Sequence, residues 1–211
     1  MSEPVLYGAA YSVYVRICRL ALEEKAQAYR LEEVDVFGPD GAPADHLRRH
    51  PFGKIPAFAH DGFMLFETGA IARYIDEAFP APALQPRDLR SRARMNQAMS
   101  ILDNYAYPHW VWDVFVERVR RGADGDEARI AAALPKAEIC CEALAGILED
   151  KAYLCGAAIT LADLYAAPML ACFTMAEEGR AMIAARPRLA AWWERLKTRP
   201  SLAASRAITD F

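Results

Sequence analysis

Two short stretches place hydroxyl or amide hydrogens where a negatively charged group could be held. Tyr11, Ser12 and Tyr14 stand at the start of a run in which Val13, Ile17, Leu20 and Ala21 recur at helical spacing. A serine hydroxyl there can cap its own helix or donate to an anion, and either phenol could serve equally. Glu67-Thr68 opens a second helical run. Free N–H groups at such a start, with the helix dipole behind them, favour a carboxylate; Thr68 can add a hydroxyl or act as an ordinary cap. Further on, Tyr105, Tyr107, His109, Trp110 and Trp112 surround Pro108. Proline would kink or interrupt a helix, and aromatics around such a break can wall an apolar cleft or fill packed interior.

These residues need elements to carry them. Val5-Leu6-Tyr7, closed by Gly8, reads as a short buried strand, and the amphipathic helix follows from about Ser12 to Lys25. Leu31 to Val36 reads as a second strand, so strand, helix and strand form a βαβ unit with parallel pairing. Gly38-Pro39-Asp40-Gly41-Ala42-Pro43 is a loop by composition. Ala57–His60 and Phe63–Phe66 flank Asp61-Gly62, a strong hairpin signal, and Thr68 to Ala78 has helical spacing. The pattern predicts an α/β domain over residues 1–80 with a mixed four-stranded sheet. Pro80, Pro82 and Pro86 mark a linker, 81–87. From Asp88 the chain reads helical to 211, with stops at Gly122–Gly125, at Tyr153–Gly156 and around Arg186-Pro187. Thr160-x-x-Asp163 is a capping box with Ile159 and Leu164 as its staple, a folding device, and Trp192-Trp193 reads as core.

Composition narrows the function classes. With 211 residues, 54% hydrophobic and 25% charged, the chain is an ordinary globular one able to bury a core unaided. A net charge of −3 without a basic run offers no footprint for nucleic acid or anionic lipid. Arg87, Arg90, Arg92 and Arg94 read as the solvated face of a helix start. No apolar stretch approaches the ~20 residues of a membrane span, and Met1-Ser2-Glu3-Pro4 is not a signal peptide. Cys18, Cys140, Cys141, Cys155 and Cys172 show neither Cys-x-x-Cys nor metal-ligand spacing. They read as reduced, buried thiols, and the expected location is cytoplasmic.

Four stretches, in order along nearly the whole chain, resemble the glutathione S-transferases of the serine-type classes (theta, phi, tau and zeta) or bacterial members. They are Tyr7-Gly8-Ala9-Ala10-Tyr11-Ser12 with Arg19-Leu20-Ala21-Leu22, and Pro51-Phe52-Gly53-Lys54-Ile55-Pro56-Ala57-Phe58. Phe66-Glu67-Thr68-Gly69-Ala70-Ile71-Ala72-Arg73-Tyr74-Ile75, and Leu154-Cys155-Gly156 followed by Thr160-Leu161-Ala162-Asp163-Leu164, complete the set. The resemblance implies a thioredoxin-like N-terminal domain (βαβ-ββα) followed by an all-α domain.

It also implies chemistry. A cis Ile55-Pro56 bond would turn the Ile55 backbone outward to pair with the cysteine of glutathione like an added strand; a trans-proline at a strand start is the plainer alternative. Glu67 and Thr68 would hold the γ-glutamyl end. Several serine-type classes carry a base before the cis-proline for the glycyl carboxylate, but here that stretch is Gly41-Ala42-Pro43-Ala44. Lys54 is the first substitute, with Arg48, Arg49 and His50 behind it. Ser12, or its rival Tyr11, would be the catalytic donor. Lowering a thiol pKa of ~8.5 by two units requires about 2.7 kcal/mol. One hydroxyl bond to an anion supplies roughly 1.5–3 kcal/mol and a helix start about 0.3–1 more. Tyr14, Tyr107, His109 and Trp110 are the candidates for touching the second substrate. The expected activity is attack of the bound glutathione thiolate on a small hydrophobic electrophile by a homodimer, with glutathione as co-substrate and no metal. A glutathione-dependent isomerase or lyase, and a non-catalytic binding protein of the same fold, are the alternatives. No cysteine occupies the Ser12 position, which argues against thiol–disulfide exchange.

Overall fold

The first apolar run becomes strand β1 (Val5–Tyr7), and the amphipathic run becomes helix α1 (Val13–Glu24), capped by Ser12. The computed structural model describes residues 2–39, 41–80 and 82–206. Helix α1 buries Val13, Val15, Ile17, Cys18, Leu20, Ala21 and Leu22, the stripe its spacing predicted. The second strand, β2, is shorter than expected: it covers Arg30–Glu32 rather than Leu31–Val36. Its parallel partner β1 has only three residues, and the Gly8 N–H to Glu32 carbonyl bond (2.9 Å) closes the ladder. Beyond it, the Asp35 carboxylate accepts from the Phe37 N–H at 2.8 Å and bends the chain.

The connection holds a helix the sequence reading missed, α2 (Ala44–Arg49), whose Asp45 and Arg49 pair across one turn at 2.7 Å. Asp40 of the expected loop lies outside the described residues. Strands β3 (Ala57–His60) and β4 (Phe63–Phe66) form the predicted hairpin, with Asp61 and Gly62 at φ 48° and 78°. Two successive positive φ values are what a two-residue turn requires and what Asp-Gly tolerates. Helix α3 (Thr68–Ala78) follows. The sheet order is β2-β1-β3-β4, with β1 parallel to β2 and antiparallel to β3. This is the mixed sheet that was expected.

The chain divides into two units: one runs to Leu84 and regains the segment from Pro200, and the other spans Gln85–Arg199. In the first, Lys25 Nζ lies 2.8 Å from Asp76 Oδ1 and 2.7 Å from the Pro82 carbonyl, and the Leu84 N–H donates to the same carboxylate oxygen at 2.7 Å. Both side chains are nearly inaccessible, so each charge is balanced by a partner and by backbone groups. The chain's last described helix, α9 (Pro200–Ala204), also belongs here rather than with the helices that precede it. Arg16 and Arg19 of α1 donate to its Leu202 and Ala204 carbonyls at 3.3 and 3.2 Å.

In the second unit, α4 (Leu89–Ile101) starts on an Asp88 cap and passes without a break into a π-helical segment, Leu102–Arg120. The interruption expected at Pro108 does not occur; the ring is accommodated within the wider winding. A tight turn at Gly122–Asp124 leads to α5 (Glu127–Leu148), α6 (Leu161–Phe173), α7 (Glu177–Ala184) and α8 (Pro187–Lys197). Helix α6 is buried along nearly its whole surface, as its apolar composition requires. The capping box is present, Ile159 and Leu164 are buried, and so are Trp192 and Trp193.

Candidate functional site

Register brings the first group of candidates together. Tyr7 of β1 pairs with Ala57 of β3, which pairs with Phe66 of β4. The residues next beyond this row are therefore neighbours at one end of the sheet: the loop from Gly8 to Ser12, the Ile55-Pro56 segment, and Glu67-Thr68. Gly8 shows how close they are. A Cβ at that position would stand 2.4 Å from Val15 Cγ2 and 3.2 Å from Ile55 Cβ, and its φ of 154° also favours glycine.

Ser12 stands in extended conformation at the N-cap of α1, after a turn closed by its own N–H on the Ala9 carbonyl at 3.0 Å. Its Oγ accepts from the Val15 N–H at 3.4 Å, a long bond. Capping uses a lone pair and leaves the hydroxyl hydrogen available, so cap and anion donor are compatible roles for one oxygen. Tyr11 is half exposed on the loop and Tyr14 half-buried on α1.

The Ile55-Pro56 peptide is cis. Ile55 lies just outside β3, and among the described residues its backbone makes no hydrogen bond. The segment is anchored by the buried His46 of α2, whose Nε2 is 2.7 Å from the Lys54 carbonyl. Lys54 itself is exposed. Of the other basic candidates, Arg49 is engaged by Asp45 and covers the Tyr7 ring at 4.4 Å, while Arg48 is exposed and reaches its own helix's Ala44 carbonyl. His50 is buried, its ring 4.8 Å from that of Phe66.

Burial lowers the His50 pKa, opposed by Glu67 and reinforced by His46 and Lys54. The unfolded chain therefore takes up this proton first. Stability contributed by the neutral ring is present above about pH 6.5, the ordinary value, and is lost as the pH falls below it. Thermal melts of His50→Gln between pH 7.5 and 5 should show a shallower loss than the wild type; equal slopes would exclude His50 as the cause.

Glu67, not Thr68, is the N-cap of α3. It sits at φ 71° and ψ 115°, a conformation costly for a residue with a Cβ, and its side chain does not cap the helix. The carboxylate is exposed, and Thr68, the first helical residue, is buried beside it.

The second group is brought together only in part. Trp110, expected to touch substrate, is fully buried: its ring stacks on Phe173 at 4.9 Å and its indole N–H donates to the Ala137 carbonyl at 3.3 Å. It is core of the helical unit, and that expectation is corrected. His109 Nδ1 lies 2.8 Å from Asp113, which Arg129 joins at 2.7 Å, and Arg129 also meets the buried Glu117 at 3.0 Å. Tyr107 is half-buried, its phenol pushed up by burial and opposed by a hydrogen bond with Trp112. Burial also raises the thiols of Cys140 and Cys155 to about 11, which makes both poor nucleophiles.

Sequence reasoning passed over two residues. Nothing in a sequence marks His46 as buried, and the charge of Glu33, just after a strand, suggests only solvent. Yet the Ala10 N–H donates to the Glu33 carboxylate at 3.2 Å to Oε1 and 3.4 Å to Oε2.

Comparison with known proteins bears on the same regions. Residues 6–83 match the glutathione S-transferase N-terminal domain, and residues 93–200 the glutathione S-transferase C-terminal domain. Glutathione S-transferase 4 of Zea mays is 30% identical over 210 residues, covering 95% of this chain and 92% of its own. The theta class glutathione S-transferase of Xanthomonas axonopodis pv. citri, solved with glutathione bound, superposes with a TM-score of 0.83 at 28% identity, covering 99% of this chain and 100% of its own. Glutathione S-transferase I from maize, in complex with an atrazine glutathione conjugate, gives 0.84 at 26% identity, covering 97% and 96%. With both domains matched in order over a shared fold, this chain is an enzyme of the glutathione S-transferase family.

Proposed function

We propose that this enzyme joins the glutathione thiolate to a small apolar electrophile, expelling a leaving group or opening a strained ring. The observation that carries the reading is the row Tyr7, Ala57 and Phe66, because it gathers a hydroxyl, an unpaired peptide edge and a helix start at one end of the sheet. Glutathione offers a thiol, a peptide and an α-carboxylate to match them. In this reading Ser12 donates to the sulfur, with Tyr11 beside it on the same loop. The Ile55 backbone pairs with the cysteinyl peptide, and Thr68 with the α3 amides receives the α-carboxylate. Glu67 meets the α-ammonium, and Lys54 takes the glycyl carboxylate that the Gly41–Ala44 stretch cannot hold. Tyr14 and Tyr107 are the aromatic side chains proposed to meet the electrophile. The bound glutathione and the atrazine conjugate of the two related structures support the same chemistry. A homodimeric assembly, as the family resemblance implies, and a cytoplasmic location, as the cysteines suggest, belong to the proposal.

Calorimetry with glutathione and a continuous assay with an activated aryl chloride test it. The wild type should bind glutathione below millimolar concentration and consume it stoichiometrically with product. Lys54→Met should weaken binding about tenfold, the loss of one charged contact worth ~1.4 kcal/mol. No heat at millimolar glutathione would overturn the reading, and turnover without glutathione consumption would replace transfer by isomerisation.

A further inference from the structure

We infer that Glu33 is a positioning residue for the loop that carries Ser12, an inference that rests on Ser12 being the thiolate donor. Three observations carry it. First, the loop is a turn: the Ser12 N–H bonds to the Ala9 carbonyl at 3.0 Å, leaving Ala10 and Tyr11 as its central residues. An N–H at the first central position has no partner inside such a turn. Second, the Glu33 carboxylate supplies that partner, taking the Ala10 N–H between its two oxygens at 3.2 and 3.4 Å. Third, the sheet delivers Glu33 to that place. Parallel register sets Tyr7 opposite Glu32, and the Gly8 N–H bonds to the Glu32 carbonyl at 2.9 Å. Glu33 is thus the first residue of the β2 strand end that is free to reach across to the turn. Its neighbour Glu32 is occupied by Arg30 at 2.6 Å and does not compete.

The chemistry explains why the position matters. An oxygen that accepts the Ala10 N–H, which has no partner inside the turn, holds the Ala9–Ser12 turn in one conformation. Ser12 Oγ can shorten a thiolate's path to stabilisation only if it stays where the sulfur will be. A displacement of about 1 Å can cost as much as a hundredfold in rate. The tie also has a cost: Glu33 places a negative charge near a site that must stabilise another, although its exposure leaves that repulsion largely screened. The useful part of Glu33 is its acceptor oxygen, not its charge.

Two variants separate these parts. Glu33→Ala removes the acceptor; Glu33→Gln keeps a carbonyl oxygen at the same reach and removes the charge. With glutathione and an activated aryl chloride, Glu33→Ala should lower kcat about tenfold and move the apparent pKa of the bound thiol upward. The KM for glutathione should stay within twofold, because Ile55, Glu67 and Thr68 are untouched. Glu33→Gln should restore kcat and the pH profile to within about twofold of the wild type. Hydrogen exchange at the Ala10 amide gives a readout independent of turnover: slow in the wild type and Glu33→Gln, fast in Glu33→Ala. An unchanged pH profile in Glu33→Ala, a Glu33→Gln variant as impaired as Glu33→Ala, or equal Ala10 exchange in all three proteins would overturn the inference. Absence of glutathione binding by the wild type would instead remove the reading of Ser12 on which it rests, while the exchange measurement would still decide the tie.

Discussion

Ser12→Ala should move the ionisation of bound glutathione upward by about 1.5 units and cut turnover at about pH 5.5 by roughly sixfold. A hydroxyl bond to an anion is worth about 2 kcal/mol, which is about 1.5 pKa units. At a pH below both values, about 30-fold less thiolate would be present. The remaining thiolate is more basic and so more nucleophilic; with a Brønsted slope of about 0.4–0.5 it recovers roughly fivefold of the loss. The deficit should therefore shrink as the pH rises and reverse above the shifted pKa, where both thiols are ionised and the more basic thiolate is the better nucleophile. A simple folding defect would give a deficit independent of pH, which makes the profile the deciding measurement. The cap is lost as well, but its bond to the Val15 N–H is long at 3.4 Å, so the stability cost should sit near the lower end, about 0.5 kcal/mol. If the absorbance of the bound thiolate were unchanged in Ser12→Ala, the donor would be Tyr11 or Tyr14. The corresponding Tyr→Phe variant would then carry the shift.

The largest loss of stability is expected at Asp163, within the helical unit. Oδ1 accepts from the Leu154 N–H and the Trp192 indole N–H, each at 2.9 Å. Oδ2 accepts from the Thr160 N–H and the Thr160 hydroxyl, each at 2.8 Å. The carboxylate is fully buried and ties the loop before α6, the start of α6 and the middle of α8 to one point. Both oxygens face donors, so Asp163→Asn must turn its NH₂ group toward one donor pair, in whichever flip it adopts. This conservative change should cost about 3–5 kcal/mol, the range for breaking a buried charged network. For a chain of this size that corresponds to a fall in Tm of about 8–15 °C. Thr160→Val, which removes only the hydroxyl, should cost about 1 kcal/mol. A Tm for Asp163→Asn within about 2 °C of the wild type would refute this account of the helical unit.

The parts of the molecule that local rules govern could be read directly. Asp61-Gly62 supplies two positive φ values and so marks a hairpin; Thr160 and Asp163 close a box within one helical turn; the apolar stripe of α1 repeats at the period of the helix. The parts that were misread share another property. Trp110 was grouped with its aromatic neighbours by closeness to Pro108, and only packing against Phe173 and the Ala137 carbonyl decides that it is core. Pro108 was expected to kink or interrupt the helix because the rule assumes α-helical bonding, whereas the segment is π-helical. Strand β2 ended early because its partner did, a fact about β1 and not about Leu31–Val36.

What the chain's own order of residues determined was most of the elements and the residues proposed to meet glutathione, since caps, turns and helix periods depend on neighbours a few positions apart. Only the folded molecule decided which charged residues serve that set. Glu33 reaches Ala10, His46 holds Lys54, and Arg16 binds the returning α9, each through contacts between segments distant in sequence. Such contacts depend on register and packing, which no local pattern of side chains encodes.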